Sequence, residues 1–474
     1  MAKGKPLMVE SIELPVAGAR GVAIGRMEDG RALMAKGAVP GDTAKVRITK
    51  KKKSHWMGEV VEVLQPSSDR VAPQCAHFQL CGGCVWQNMQ YDAQLRWKAQ
   101  EVRENLRRLG GVEVEEELPI IPSQETFYYR NKLEYSFTAE RWLDAAEVAS
   151  NEEIADRRAC GFHIPGRWDR VFEVHHCWLQ PEPSNAIRNS ISAWSLQHNW
   201  TFYHPRERKG WLRSMMIRNT LDGQFMVMIQ TGHREEKARA ILTENLLQHF
   251  PQIRSLYFAV NDKANDSLYH LDMELVAGEA GLVEEMPAYA GGKPLQFRIG
   301  PKSFYQTNPK QASNLYRVAL DWAEVNENSL VYDLYTGTGT IALYLAQKAG
   351  KVVGIEGVPE AVVDAEQNAR ENGVHNVSFF AGDMRKVLNS DFVQANGQPD
   401  VVVTDPPREG MHPDVVQSLI ALAAPRIVYV SCNSATQARD LALMKDHYRV
   451  VKSRAVDMFP HTAHVENVVL LQHR

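Results

Sequence analysis

The chain contains no uninterrupted apolar stretch long enough to cross a bilayer, which takes about 20 residues. Its start, Met1 to Lys5, also lacks the apolar core of a signal peptide. Both absences point to the cytoplasm and to no membrane partner. Cysteine is scarce, six residues in 474, and in a reducing compartment clustered thiols more often bind metal than form disulfides. Neither sign of charge is in excess: 54 Lys and Arg against 57 Asp and Glu leave a net of −3, which by itself argues neither for nor against a nucleic-acid partner. No internal repeat and no low-complexity segment appears. What remains is an ordinary globular composition, 44% hydrophobic and 23% charged, on a chain long enough for two to four domains.

The positive charge is unevenly placed. Residues 1–70 hold thirteen Lys and Arg against eight Asp and Glu, and six of the positive charges fall within Lys45 to Lys53. Such a run suits phosphate contact, and equally a solvated loop. In the same region short β-prone stretches (Val9 to Leu14, Val22 to Ile24, Ala32 to Ala35, Thr43 to Thr49, Gly58 to Leu64) alternate with Gly, Pro and Asp turns, the pattern of a small β-barrel. Leu95, Ala99, Val102, Leu106 and Leu109 then recur at helical spacing, predicting an amphipathic helix from Asp92 to Leu109 with solvated basic residues, Lys98 among them. Strand-like pieces at Tyr128 to Phe137, Trp211 to Arg218, Phe225 to Gln230 and Ser255 to Val260 predict a second β-containing domain. Ala139 to Arg158 is polar and reads as an insertion or mobile loop.

After Gln306 strands and helices alternate: Leu330 to Leu334, Val352 to Glu356, Val377 to Phe380, Val401 to Thr404 and Ile427 to Val430 are strands, with helices from Thr340 and Pro359. This is a doubly wound, mostly parallel sheet. Its first strand runs into Asp333-Leu-Tyr-Thr-Gly-Thr-Gly-Thr340, where glycines let backbone approach a ligand closely. Glu356 ends the next strand, placed to accept hydrogen bonds from a ribose diol. The loop lacks the Gly-Lys-Ser/Thr of a phosphate-binding loop but leaves NAD open. S-adenosylmethionine is favoured by the neighbouring motifs, which have no use in hydride transfer.

Those motifs are Asp405-Pro-Pro-Arg408 and Tyr429-Val-Ser-Cys-Asn433. Asp-Pro-Pro followed by an aromatic would suit methylation of an exocyclic amine, but here Arg408 takes that place and Cys432 ends the following strand. A thiol there suits carbon methylation of a pyrimidine. Carbon 5 of uracil is a poor nucleophile until a thiolate adds to carbon 6, and a base must afterwards remove the C5 proton. Glu466, in Phe459-Pro-His-Thr-Ala-His-Val-Glu466, is the best candidate for that base, with His461 and His464 weaker ones. Separately, Cys75, Cys81 and Cys84 lie within ten residues, with Cys177 as a distant fourth. The spacing permits zinc or an iron–sulfur cluster, and a compact triplet with a distant fourth cysteine favours [4Fe–4S]. Cys160 is left over and expected to be buried.

Taken together these motifs resemble the RNA uracil-5-methyltransferase family, in particular the 23S rRNA enzymes with a TRAM domain and an iron–sulfur cluster. The resemblance implies a multidomain α/β protein. Residues 1–66 would be an OB-like TRAM β-barrel for RNA binding, 67–300 a central α+β RNA-binding domain with the cluster, and 301–474 a Rossmann-like class I methyltransferase domain. It implies Cys75, Cys81, Cys84 and Cys177 as cluster ligands. Gln306, Tyr335, Thr340, Glu356, Asp383 and Asp405 would line the S-adenosylmethionine site. Cys432 would be the nucleophile, Glu466 the base, and Asp405 an acid between cofactor and target base. Thr336 departs from the Cys of many members and Asp383 from the Asn of some. The implied substrate is a uridine of 23S rRNA, with the T-loop uridine of tRNA as the rival and an RNA-binding ribosome-assembly role as the alternative class. A monomer is expected.

Overall fold

The computed structural model describes residues 7–150, 152–265, 267–268, 270–289 and 292–474. The charged start of the chain therefore lies outside the described residues, as does residue 151 of the 139–158 stretch. The chain forms two compact units. One comprises Met1–Thr126, Pro406–Val416 and Tyr429–Arg474, and the other Phe127–Asp405 and Gln417–Val428.

In the first unit, six strands form one sheet in the order Met8–Leu14, Asp42–Lys51, His55–Gln65, Ala32–Lys36, Ala23–Arg26, Val16–Ala17. Inward positions alternate with exposed ones, as in Asp42–Lys51, and gather Ile12, Leu14, Leu33, Ala44 and Val46 into a small core. Gly25 lets the outer strands close up: a Cβ there would sit 2.2 Å from the Glu13 carbonyl oxygen. The five predicted β-stretches all lie in or overlap strands of this sheet.

The helix expected at Asp92 begins one residue earlier, spans Tyr91–Asn105, and continues as a wider turn over Leu106–Gly110. Gly111 ends it in the left-handed conformation (φ 57°). Asp92 lies in the first turn, and no side chain caps the start. Arg96, Arg103 and Arg107 are exposed and ion-paired at the surface. Lys98 corrects the expectation of a solvated basic face: its side chain is fully buried against Asp457. A helix of alternating faces tolerates one inward lysine where a carboxylate waits for it. The unit also contains Arg426–Ser431 in its last residues, then Glu466–His473, Tyr448–Val456 and Val114–Ile121 in that strand order. Val114–Ile121 pairs in parallel with Tyr448–Val456, a pairing across more than 300 residues that no local pattern announces.

In the second unit a seven-stranded sheet runs in the order Val171–Glu173, Ala159–His163, Lys132–Thr138, Leu212–Asn219, Phe225–Thr231, Ile253–Val260, Glu274–Gly278. The helices Ser184–Gln197 and Glu236–His249 cover a core that includes Tyr135, Ile187, Leu212, Ile229, Leu242 and Leu256. Cys160 is buried in it, and burial pushes its thiol up to about 12. Among the described residues of 139–158, Ala145–Ser150 form a helix and Arg141 donates to Glu147 at 2.5 Å. The unit also has a two-stranded antiparallel sheet of Leu282–Met286 and Leu295–Ile299, and four parallel strands in the order Val377–Ala381, Lys351–Glu356, Leu330–Leu334, Val401–Thr404. Helices Pro309–Ala323, Thr340–Ala346 and Pro359–Glu371 accompany the parallel strands. This is the doubly wound arrangement the alternation predicted, with its loops at the carboxyl ends of the strands.

Candidate active site

The second unit holds the glycine loop. Strand Leu330–Leu334 ends in a sharp turn where Tyr335 takes a positive φ of 63°, and its amide, with that of Thr336, donates to the Ile355 carbonyl. A tyrosine in that region is strained. Gly337 has φ 56° and open space where a Cβ would stand. Gly339 (φ 83°) packs closely, a Cβ there lying 3.1 Å from Ala365 and Phe379. Gly337 thus borders open space, whereas Gly339 serves packing. Glu356 shapes the loop directly: one carboxylate oxygen accepts from the Gly337 amide at 2.9 Å and the other from Val358 at 2.9 Å. Its backbone carbonyl accepts from Gly382, which brings Asp383 to the end of the adjacent strand. Asp383 caps the helix Met384–Val387 and forms an ion pair with Arg385, which holds its carboxyl down at about 2.

Asp333 is fully buried and accepts from the Thr336 hydroxyl at 2.5 Å. Asp405 follows strand Val401–Thr404, and its amide donates to Leu334 at 3.3 Å. Burial pushes both carboxyls well above the usual aspartate range, and for Asp333 the charge of Asp405 adds to the effect. Asp333 was not among the residues expected at the site; its signal was its place as the last acid before the glycine loop. Gln306 is buried, and its carbonyl accepts from Asn131. Thr340 begins the helix after the loop and reaches the Tyr316 hydroxyl at 3.5 Å. The structure thus brings Asp333, Tyr335, Glu356, Asp383 and Asp405 to neighbouring strand ends, while Gln306 and Thr340 are set by separate contacts.

In the first unit Cys432 follows strand Arg426–Ser431, half-buried in a turn held by the Asn433 amide on the Ser431 hydroxyl. The Asn433 side chain caps the helix Ser434–Met444. The Arg408 carbonyl accepts from both Asn433 and Thr436 at 3.1 and 3.2 Å, tying the Pro-Pro-Arg turn to the cysteine turn. Buried Asp440 reinforces this by accepting from the Met411 amide and the Tyr429 hydroxyl. Arg408 also contacts the His464 ring at 3.1 Å. Glu466 opens strand Glu466–His473 opposite Val456 and is 4% exposed, a carboxylate in a sheltered position rather than at a solvated strand end. His461 is buried, and burial pushes its imidazole down to about 4. A ring held neutral over the whole range near pH 7 is a poor proton shuttle.

The cysteine triplet lies in a series of tight turns, with the Leu80 and Cys81 amides on the His77 carbonyl. Cys75, Cys81, Cys84 and Cys177 are all half-buried. Among the described residues no three His, Cys, Asp or Glu side chains are gathered closely enough to hold a metal ion. No helix among them is long and apolar enough to cross a membrane.

Residues 279–474 match the model of the tRNA (uracil-5-)-methyltransferase family. An RNA methyltransferase of Porphyromonas gingivalis is 46% identical over 97% of this chain and 99% of its own length. One of Bacteroides thetaiotaomicron is 44% identical over 96% of this chain and 100% of its own. Among solved structures, the Pyrococcus abyssi tRNA (uracil-54, C5)-methyltransferase in complex with S-adenosyl-L-homocysteine superposes with a TM-score of 0.74 at 26% identity. That match covers 97% of this chain and all of the other. The chain belongs to the RNA uracil-5-methyltransferase family and is an S-adenosylmethionine-dependent RNA methyltransferase.

Proposed function

We propose that this enzyme methylates carbon 5 of a uridine in folded RNA, with Cys432 as nucleophile and Glu466 as base. The observation that carries the reading is the pair of first-unit residues with matching chemistry: a half-buried thiol at a strand end and a sheltered carboxylate at the start of Glu466–His473. The Cys432 thiolate adds to C6 of the uracil, and the resulting enolate makes C5 a nucleophile. S-adenosylmethionine, when bound, supplies the methyl group. Glu466 then takes the C5 proton, the C5=C6 bond re-forms, and the sulfur leaves C6.

In the second unit the residues assigned to the cofactor are Gln306, Tyr335, Thr340, Glu356, Asp383 and Asp405. Glu356 and the glycine loop would receive the ribose, and Asp405 would face the target base. A base inside a helix cannot meet a thiol, so the target uridine leaves its stack. Residues 1–66 act as the TRAM module and bind RNA through the Lys45 to Lys53 run. Cys75, Cys81, Cys84 and Cys177 are the proposed ligands of a structural [4Fe–4S] cluster, supported by their number, their thiol chemistry and their half-burial rather than by a preformed cage.

The assigned substrate is 23S rRNA, with the enzyme acting as a cytoplasmic monomer. The names of the matching family and of the Pyrococcus abyssi enzyme favour tRNA as a second reading. Tritiated methyl transfer from S-adenosylmethionine into unmodified 23S rRNA and tRNA transcripts, with the labelled nucleoside identified after digestion, tests both. 5-Methyluridine from rRNA alone is the expected result, label in tRNA alone transfers the assignment, and label in another nucleoside removes the C5 mechanism.

A further inference from the structure

Between the last long strand pair of the first unit runs the segment from Asp457 to Glu466, and it is held at two points by one helix, Tyr91–Asn105. At its start, the Asp457 carboxylate takes Lys98 at 2.6 Å on one oxygen and the Tyr91 hydroxyl at 2.8 Å on the other. Lys98 also donates to the Phe459 carbonyl at 3.0 Å. At its middle, His461 adopts a left-handed conformation (φ 65°), which for a non-glycine residue persists only where neighbours over-determine it. Gln94 supplies that determination. Its Oε1 accepts from the His461 amide at 2.8 Å, and its Nε2 lies 3.2 Å from the His461 ring while donating to the Trp86 and Met89 carbonyls. The His461 carbonyl in turn accepts from the Val85 and Trp86 amides at 2.9 and 3.0 Å. Gln94 is fully buried, so its amide has no solvent alternative. From His461 the chain turns through Thr462, whose hydroxyl bonds Phe459 and His464, and reaches Glu466 five residues on.

We propose that Gln94 is a positioning residue for removal of the C5 proton: by clamping the His461 backbone it holds the loop in the shape that presents the Glu466 carboxylate. The inference rests on Glu466 being the base. It has a consequence specific to one step. Addition of Cys432 to C6 and methylation of C5 precede the proton transfer; the loop meets the cysteine turn through His464 and Arg408, whereas Gln94 clamps the chain three residues earlier, at His461. Loosening the loop therefore leaves them running and slows only the elimination, in which the C5–H bond breaks, its electron pair forms C5=C6, and the C6–S bond breaks. The methylated RNA then stays covalently bound to the enzyme.

The test follows labelled methyl groups from S-adenosylmethionine with full-length protein and an unmodified RNA transcript. It separates SDS-stable protein–RNA adduct from released 5-methyluridine. For Gln94→Leu, release falls about tenfold or more and labelled adduct accumulates. On RNA containing 5-fluorouridine, where no proton can leave C5, the variant forms adduct as wild type does. Thr462→Val loosens the same loop from a second point with nearly unchanged volume, and traps adduct even where Gln94→Leu folds poorly. Parallel loss of adduct on both RNAs, or normal release by both loop variants, overturns the proposal. Glu466→Ala serves as the reference: if it traps no adduct, the base assignment fails, and if it traps adduct while Gln94→Leu does not, the positioning role alone fails.

Discussion

The Lys98 ammonium sits 2.6 Å from an Asp457 carboxylate oxygen, with both side chains wholly removed from solvent. Burial pulls the lysine toward its neutral form and the neighbouring carboxylate opposes that pull. Such a pair is costly to break on one side. Lys98→Met, which leaves Asp457 buried without a cation, should destabilise the protein by about 3–5 kcal/mol, read as a lower urea midpoint. Replacing both partners, Lys98→Met with Asp457→Leu, should recover a large part of that loss. A single variant with a wild-type midpoint would show that water or another group reaches Asp457.

Cys432→Ser keeps the turn, because the Asn433 amide bonds Ser431 rather than the thiol. It should therefore fold normally, form no adduct with 5-fluorouridine RNA, and lose methyl transfer about a thousandfold or more. Unchanged turnover would remove Cys432 from the chemistry.

Glu356 receives the Gly337 and Val358 amides, each at 2.9 Å, so its carboxylate orders the glycine turn as well as being the proposed ribose acceptor. Glu356→Ala should weaken S-adenosylmethionine binding by about tenfold to a hundredfold, since each charge-assisted bond lost contributes on the order of 1.5–3 kcal/mol. Glu356→Gln, which keeps one acceptor oxygen, should fall between. Calorimetric titration of the three proteins decides, and equal affinities would place the ribose elsewhere.

Asp333 and Asp405 give the ligand-free protein an unusual pH dependence. A carboxyl whose folded pKa is raised keeps its proton in the folded state after the unfolded chain has lost it. The unfolded state then binds fewer protons, and stability falls as pH rises. The fall should begin near the ordinary aspartate range, about pH 4, and finish near the raised value, about 7 for Asp333. Asp405→Asn should flatten it and raise stability at pH 8. Urea unfolding across that range tests this, and a curve unchanged by the substitution would place the titration in other groups.

Anaerobically purified protein should be brown and contain iron and sulfide that Cys81→Ser or Cys177→Ser removes. A colourless preparation with zinc would reassign the thiols.

Much of the candidate site was legible because its residues are punctuated locally. Strand Leu330–Leu334 and strand Val401–Thr404 fall at the expected residues, since each is an apolar run closed by Asp and Gly or Pro. Cys432 stands out by its company, the Asp405-Pro-Pro turn and the glycine loop, and Glu466 by its place before the apolar strand that follows it. Less legible was anything that depends on the inward face of a helix. Lys98 reads as one of the solvated basic residues of Tyr91–Asn105, yet it and Gln94 are fully buried because their partners, Asp457 and His461, arrive from more than 350 residues away.

The sequence by itself placed a thiol, a carboxylate and a glycine loop at strand ends, each encoded within a few residues and therefore by local backbone preference. Only the tertiary structure decided how those groups are held. Pairing of Val114–Ile121 with Tyr448–Val456, the raised pKa of Asp333 beside Asp405, and the Gln94 clamp on His461 all depend on burial and on neighbours distant in the chain. Desolvation and long-range hydrogen bonding have no period for a sequence to display.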